Sequence, residues 1–518
     1  MTGDTQIAND NGKPNWIFLL VFVLIIASTL WVRLVQLDAR PMHTDEAVHG
    51  MFFIGLLEDR VYHFNPTEYH GPTMYYLTLP IARLMGQRTG AELTEHTLRL
   101  LPVLASLALI GMLALWRPVF GPFTVCGAAL FTAISPINLY FSRYYIHEPI
   151  LVLFFFGFVT CAMRYWLSRK FAWLLAAGAF AGLAYATKIT SILMFAALGT
   201  AWVITAVFIQ HRETRKITIS RDMFSWKLLA AAGCVAMMVS LLFYSSFFTN
   251  LRGVWESITT YFYFADRATG QGHEKVWHTH LQWIFWTRSG GFVWSELFLA
   301  ILACMATGLA LLKNTRCATM TLLLGLYITI LLAIYSIIPY KTPWLMLGPM
   351  QAIALLAGIG ATSIMALPKA VWSKAILALA ILAGTTQLGR QAHRAAFRFA
   401  GDERVPYCYS HTSSNILFLS ERIHRALELA PANETPWVLV AAEEYWPLPW
   451  YLRRIENVGY WQTVPESKQA PALVLDMQQS ASKQTELEQT HTASLVGLRP
   501  GVLLALWIRN DIWNSVIQ

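Results

Sequence analysis

Charge is what this sequence lacks. Asp, Glu, Lys and Arg make up only 13% of its 518 residues, about half of the ~25% usual in globular domains. With 56% hydrophobic residues and a mean hydropathy of +0.45, that scarcity excludes a soluble chain of several domains and places most of the polypeptide in a membrane. Cysteine is also sparse. Of the six, Cys126, Cys161, Cys234 and Cys304 lie inside apolar runs and no CxxC occurs, which excludes a disulfide framework and argues against a redox pair or zinc ribbon. No internal repeat stands out, and that absence argues against a transporter built from repeated halves. The net charge of +9 raises nucleic acid as a partner. Its lysines and arginines fall at the ends of apolar runs, where membrane topology accounts for them, so nucleic acid loses its support.

What is present is apolar sequence in long blocks. The segment Trp16 to Leu37 reads as an uncleaved signal anchor long enough to cross ~30 Å of hydrocarbon. Further runs begin near Leu98, Phe123, Ile150, Phe171, Ile189, Leu228, Phe292, Thr319, Trp344 and Val371, giving about 11 expected spans. Pro72 to Met85 is apolar but short and contains Pro80, so an interfacial or re-entrant helix is expected there.

Basic residues sort the connecting loops into two sets. One carries Arg117; Arg164, Arg169 and Lys170; the stretch His211 to Lys227; Lys313 and Arg316; and Lys369 and Lys374. This set is expected to be cytoplasmic, as is the N-terminus. The other set carries "RPMHTDEAVHGMFF", "SRYYIHEP", "TKIT", Thr249 to Gly290 and "PYKTPW", and holds nearly every residue that looks chemical. An odd number of spans puts the tail after Arg390 on that same outer side. "PWVLVAAE" and "PALVLDM" there read as strands and "YWPLPWYLRRI" as an aromatic amphipathic helix. The expected fold is an all-α polytopic membrane module over 1–389, with a first outer loop at 38–93, followed by a small α/β extracytoplasmic domain over 390–518.

In the first outer loop Thr44 is placed to cap a helix that opens with Asp45 and Glu46, and Asp45 and His49 share a face four residues apart. Acids in a first helical turn also simply complement the helix dipole. In "NPTEYHGPTMYY", Glu68 and His70 precede a Gly-Pro helix start. Arg143, His147 and Glu148 stand at the mouth of a later span, where Arg could equally be an interfacial anchor. Lys188 and Lys341, with Tyr340 beside the latter, run against the positive-inside bias, which favours an anion as their partner over simple snorkelling. Carboxylates, imidazoles and cations on one face suit chemistry on a phosphate-linked lipid: a carboxylate takes the acceptor hydroxyl's proton, and fixed cations or a metal stabilise the departing phosphate. Asp45 or Glu46 fits the first role; Arg143, Lys188 and Lys341 fit the second.

"HTDEAVHG", "YHGPTMYYL", "SRYYIHEP", "YKTPWL" and "YWPLPWYLR" together resemble the C-type membrane glycosyltransferases of family 39. Within it they look like a prokaryotic subgroup associated with flippase activity or protein glycosylation in the cell envelope. The resemblance implies the C-type fold, an outward-facing site in a cytoplasmic (inner) membrane, a polyprenyl-phosphate sugar donor and a lipid, glycan or protein acceptor. It assigns Asp45 as base with Glu46 beside it, Glu68 or His70 as donor or metal contact, Arg143 as phosphate contact and Glu148 as acceptor contact. His49 and Tyr340 complete the expected substrate-binding set. A divalent metal is a candidate cofactor, with Glu68 and His70 as its candidate ligands. Gly71 departs from the basic residue of the aminoarabinose transferases, and Thr249 to Gly290 is too short for the lumenal insert of eukaryotic mannosyltransferases. The alternatives are a flippase-associated component or transporter without transferase activity, or an inactive scaffold on the same fold.

Overall fold

The computed structural model describes residues 16–67, 70–214, 225–268, 274–313, 315–431, 437–465 and 470–517. Eight helices in it are long and apolar enough to cross a membrane, from Trp16–Leu34 to Val371–Arg398. Three shorter apolar helices, Pro122–Ile134, Phe171–Tyr185 and Leu297–Leu311, lie between them. Together they match, one for one, the apolar runs expected from the sequence.

The short helices pack through small residues. A Cβ on Gly178 or Gly182 would lie 2.4 Å from the carbonyl oxygens of Ala232 and Ala236, and one on Gly360 would lie 2.0 Å from the carbonyl of Leu302. These contacts bring helix backbones to the separations that small residues permit in membranes. Pro343–Ala366 is the buried centre of the bundle, whereas Trp226–Tyr244 presents its surface outward. Proline opens several helices at N1 or N2, among them Pro122 and Pro149, where its missing N–H goes unused.

Loops that the sequence sorted into one set meet at one end of the bundle. Gly71 N–H donates to Thr187 O at 3.0 Å and Lys275 N–H to Pro339 O at 3.2 Å. Thr260 Oγ1 donates to Pro66 O at 2.9 Å. At the other end Arg212 Nη1 donates to Leu311 O and Lys313 O. Two juxtamembrane helices form the first of these loops, Thr44–Asp59 and Thr73–Leu84, the second continuing through Pro80.

The tail is an α/β unit. Its strands β1 (Val438–Ala441), β2 (Val458–Trp461), β3 (Ala472–Asp476), β4 (His491–Arg499) and β5 (Val502–Arg509) form one sheet in the order β2-β1-β3-β5-β4. The first three are parallel, and a β4–β5 hairpin turning at Gly501 (φ 79°) adds antiparallel strands. Two expectations shift here. The boundary at 389/390 falls inside a helix, because Val371–His393 runs on through a π-turn to Arg398. "YWPLPWYLRRI" yields only the five-residue helix Leu448–Leu452, entirely buried, because it is wedged against the bundle rather than laid on a surface.

Candidate functional site

The first-loop helix Thr44–Asp59 starts one residue earlier than its expected Thr44 cap. His43 is the N-cap: its Nδ1 accepts the Asp45 N–H at 3.1 Å while Glu46 accepts the His43 N–H at 3.0 Å, a reciprocal capping box. His43 Nε2 meets Tyr409 O at 2.7 Å, which ties the helix start to the tail.

Glu46 and Asp45, adjacent in sequence, have opposite surroundings. Glu46 is fully buried, and Arg40 Nη2, Arg99 Nε, Arg99 Nη2, the Tyr145 N–H and the His43 N–H all donate to its carboxylate. Burial alone would push this carboxyl up, but Arg40 and Arg99 hold it well below the usual carboxylate range. So thoroughly bonded, the carboxylate of Glu46 ties the first loop to its neighbours, and Glu46 is not among the residues that line the cavity described next. Asp45, half-buried, carries no hydrogen bond or ion pair on its carboxylate among the described residues and lines a cavity of about 220 Å³.

That cavity gathers His49, His70, Glu148, Lys188 and Tyr340 with Asp45, against Val48, Phe52, Leu193 and Trp344. Most of the expected site therefore converges. Lys188 Nζ pairs with Glu148 Oε1 at 2.5 Å, both side chains mostly buried. A backbone bridge pairs His70 with Lys188, and Gly71 permits it, since a Cβ there would lie 2.0 Å from Ala186 O. The departure at Gly71 thus has a steric cause: the backbone of the 186–188 turn occupies the space a side chain would need.

Two further expected residues are elsewhere. Arg143 does not reach this cavity; its guanidinium donates to the carbonyls of Val32, Arg33, Val35 and Gln36, closing the end of the first span. It borders a separate cavity of about 280 Å³ with Arg40 and Arg398. Lys341 is fully buried, and its ammonium donates to Tyr335 O, Ser336 O and Ile338 O, capping the helix Arg316–Ile337. Both were expected to answer phosphate; both answer orphaned helix-terminal carbonyls instead. Glu68 lies outside the described residues.

His147 is the residue that sequence reasoning left out of the site. Its ring lies 4.7 Å from both His49 and His70, centroid to centroid, and its Nε2 meets Gly71 O at 3.1 Å. His49 Nδ1 in turn meets Tyr75 Oη at 3.1 Å. Burial pushes His49 down to about 4 and His147 well below the usual imidazole range, so both rings are neutral at neutral pH. The adjacent "HE" of "IHEP" was the available signal, because Glu148 opens the helix and directs its neighbour inward.

The tail holds this loop in place. Tyr451 Oη accepts the Met42 N–H at 2.8 Å, Trp450 Nε1 donates to Glu95 at 2.7 Å, and Arg499 Nη1 donates to Thr44 Oγ1 at 3.2 Å. A Cβ on Gly50 would meet the Trp450 ring at 2.8 Å. The helix carrying Asp45 is therefore clamped between bundle and tail.

A second buried acid sits away from the cavity. Glu296 accepts from Ser135 Oγ at 2.6 Å and from the Ile137 N–H at 3.0 Å, and burial pushes its carboxyl up to about 7. A carboxyl raised on folding contributes stability that is complete below its unfolded value and is lost as pH rises through about 7. Thermal melts between pH 5 and 8 should fall in the wild type, and the fall should be smaller in Glu296→Gln. Equal slopes in both would contradict this assignment.

The sequence profile of the dolichyl-phosphate-mannose-protein mannosyltransferases matches residues 73–252, a segment that holds His147, Glu148 and Lys188 but begins after Asp45. No curated protein matches the chain by sequence. Among solved structures, ArnT from Cupriavidus metallidurans bound to undecaprenyl phosphate aligns over 95% of this chain and 98% of its own at 16% identity, with a TM-score of 0.61. The oligosaccharyltransferase AglB from Archaeoglobus fulgidus, in complex with an inhibitory peptide and a dolichol-phosphate, aligns over 93% of this chain and 73% of its own at 12% identity, TM-score 0.56. In fold, and in the sequence of its 73–252 segment, the chain resembles the C-type membrane glycosyltransferases of family 39.

Proposed function

We propose that this protein is an integral membrane glycosyltransferase that moves a sugar from a polyprenyl-phosphate-linked donor to a lipid, glycan or protein acceptor, at the outer face of the cytoplasmic membrane. The observation that carries the reading is the Asp45 carboxylate, without a hydrogen bond or ion pair among the described residues, lining one cavity with the Lys188–Glu148 pair and a largely apolar remaining wall. A phosphate with a long hydrocarbon tail needs such a two-sided site. The ArnT and AglB structures each hold a polyprenyl phosphate, and the mannosyltransferase profile names a dolichyl-phosphate donor.

Asp45 accepts the proton of the acceptor hydroxyl as that oxygen bonds to the anomeric carbon. The bond from that carbon to the phosphate oxygen breaks with inversion, and polyprenyl phosphate leaves with the electron pair. Lys188 offsets the charge gathering on the leaving phosphate. Glu148 holds the Lys188 ammonium in place by its ion pair, which sharpens its expected role of acceptor contact into that of a positioning residue. The cavity is lined by residues from the loops of the outer set, among them Asp45, His70, Lys188 and Tyr340, which supports outward-facing chemistry.

Donor titrations test the assignment of Lys188. Lys188→Met should raise KM for the polyprenyl-phosphate sugar about 10-fold or more, the loss of one charge-assisted contact of ~1.5–3 kcal/mol; an unchanged KM and kcat would remove Lys188 from the site. Gly71→Ala should lower turnover by ~10- to 100-fold, because parting the 70–73 and 186–188 strands shifts catalytic groups by about an ångström. Initial rates on purified protein check this, and a wild-type rate would show that the Gly71 contact does not position the site.

A further inference from the structure

We infer that His49, His70 and His147 form a binding site for one divalent transition metal ion, bordering the cavity that holds Asp45. Each of the three offers one ring nitrogen, and these nitrogens lie within 4.8 Å of one another. Three separate elements supply them: the first-loop helix, the loop before Thr73–Leu84, and the entry to the span Glu148–Ser168. The tail-clamped helix and the seam at Gly71 fix that convergence.

Two further details fit a ligand role for the clustered rings. His147 is fully buried, yet its Nδ1 has no partner among the described residues, while its Nε2 is held by a backbone carbonyl. His49 is held in the same manner through Nδ1 by the Tyr75 hydroxyl, which leaves Nε2 for the cluster. A ring fixed by a hydrogen bond at one nitrogen and presenting the other is the arrangement that outer partners impose on metal-bound histidines. A buried unpartnered nitrogen otherwise costs free energy with nothing in return.

The donor set defines the ion. Three imidazoles without a thiolate suit Zn²⁺, Co²⁺ or Ni²⁺ and are poor hosts for Mg²⁺ or Ca²⁺, which require oxygen. Around a tetrahedral Zn²⁺ with bonds of ~2.0–2.1 Å the nitrogens stand ~3.3 Å apart, so the rings draw inward on binding. Three protein ligands leave a fourth position, and His49 and His70 both border the cavity. At that position the ion would polarise an oxygen of a ligand in the cavity. This last role rests on the proposed transferase reading; the metal site itself does not.

The test uses the full-length protein in detergent, stripped with chelator, repurified, and titrated with Co²⁺ and separately with Zn²⁺. We expect one equivalent of either ion by elemental analysis after desalting, and a visible Co²⁺ absorption band of tetrahedral intensity that Zn²⁺ abolishes. His147→Gln and His70→Gln should each weaken binding at least 10-fold, and Tyr75→Phe should weaken it less, through the loss of an orienting bond. His70 is only partly buried, so His70→Gln remains informative if His147→Gln fails to fold. The inference is overturned if folded wild-type protein retains no ion at micromolar metal, or if His70→Gln binds as the wild type does. Asp45→Asn separates the two readings: metal retained with transfer lost supports both, and transfer in stripped, metal-free protein at the wild-type rate confines the ion to a structural role.

Discussion

Asp45→Asn should reduce sugar transfer by ~10²- to 10⁴-fold, the range that a positioned general base contributes, while leaving insertion, thermal stability and donor affinity near wild type. The expectation follows from the carboxylate's isolation: among the described residues it makes no hydrogen bond or ion pair that the substitution would break, so little of the fold depends on its charge. Rates under saturating donor and acceptor, with melting curves on the same preparations, check both halves. A variant that loses activity only because it melts early would point to a structural role for Asp45.

The neighbouring substitution should behave in the opposite sense. Glu46→Gln keeps the shape of the side chain but removes the carboxylate that, among the described residues, both Arg40 and Arg99 are paired with. Breaking a buried ion pair from one side costs ~3–5 kcal/mol, a large share of the ~5–15 kcal/mol that holds a typical domain folded. Because Glu46 also bonds the backbone at Tyr145 and His43, its loss loosens the first loop against two other elements together. The measured result should be a sharp fall in yield and melting temperature. A Glu46→Gln protein that melts like the wild type would mean that the arginine cluster is compensated in some other way. Two adjacent acids in one "DE" are thus expected to divide the work, Asp45 as the proposed base and Glu46 as the partner of two buried arginines.

That division was not legible in the sequence, and the reason is distance along the chain. Arg99 lies 53 residues from Glu46, and nothing in local spacing pairs them. Arg143 bonds carbonyls more than 100 residues earlier, so its cap on the first span could not be read from "SRYYIHEP". Lys341 was closer to legible. It follows a helix end by a few residues, where a lysine can reach back to the last carbonyls. Its position on the outer face was instead read as a sign of an anion.

What the sequence did reveal rests on signals that are long or strictly local. Each span announces itself through roughly twenty apolar residues, a signal that tertiary contacts do not override in a membrane. The Asp45–His49 relation is a single helical turn, and both residues line the cavity as their spacing required. Alternation of basic and plain loops grouped the outer-set segments that the structure brings together, without any knowledge of contacts. The strands "VLVA" and "ALVLD" were visible as β-prone runs, whereas the docking of Tyr451 on Met42, 409 residues away, was not. His147 escaped because a histidine beside an acid at a helix entry has several ordinary explanations. Its place in a cluster of three histidines, from elements far apart in the chain, is what singles it out.

The most direct test of the transferase reading is turnover by the purified protein in vesicles. A polyprenyl-phosphate sugar pool and candidate acceptors would be supplied, and mass spectrometry would follow free polyprenyl phosphate and glycosylated acceptor together. The account predicts that both products rise in equal amounts with the wild type and that neither rises above background with Asp45→Asn. Polyprenyl phosphate released by Asp45→Asn at the wild-type rate would contradict it.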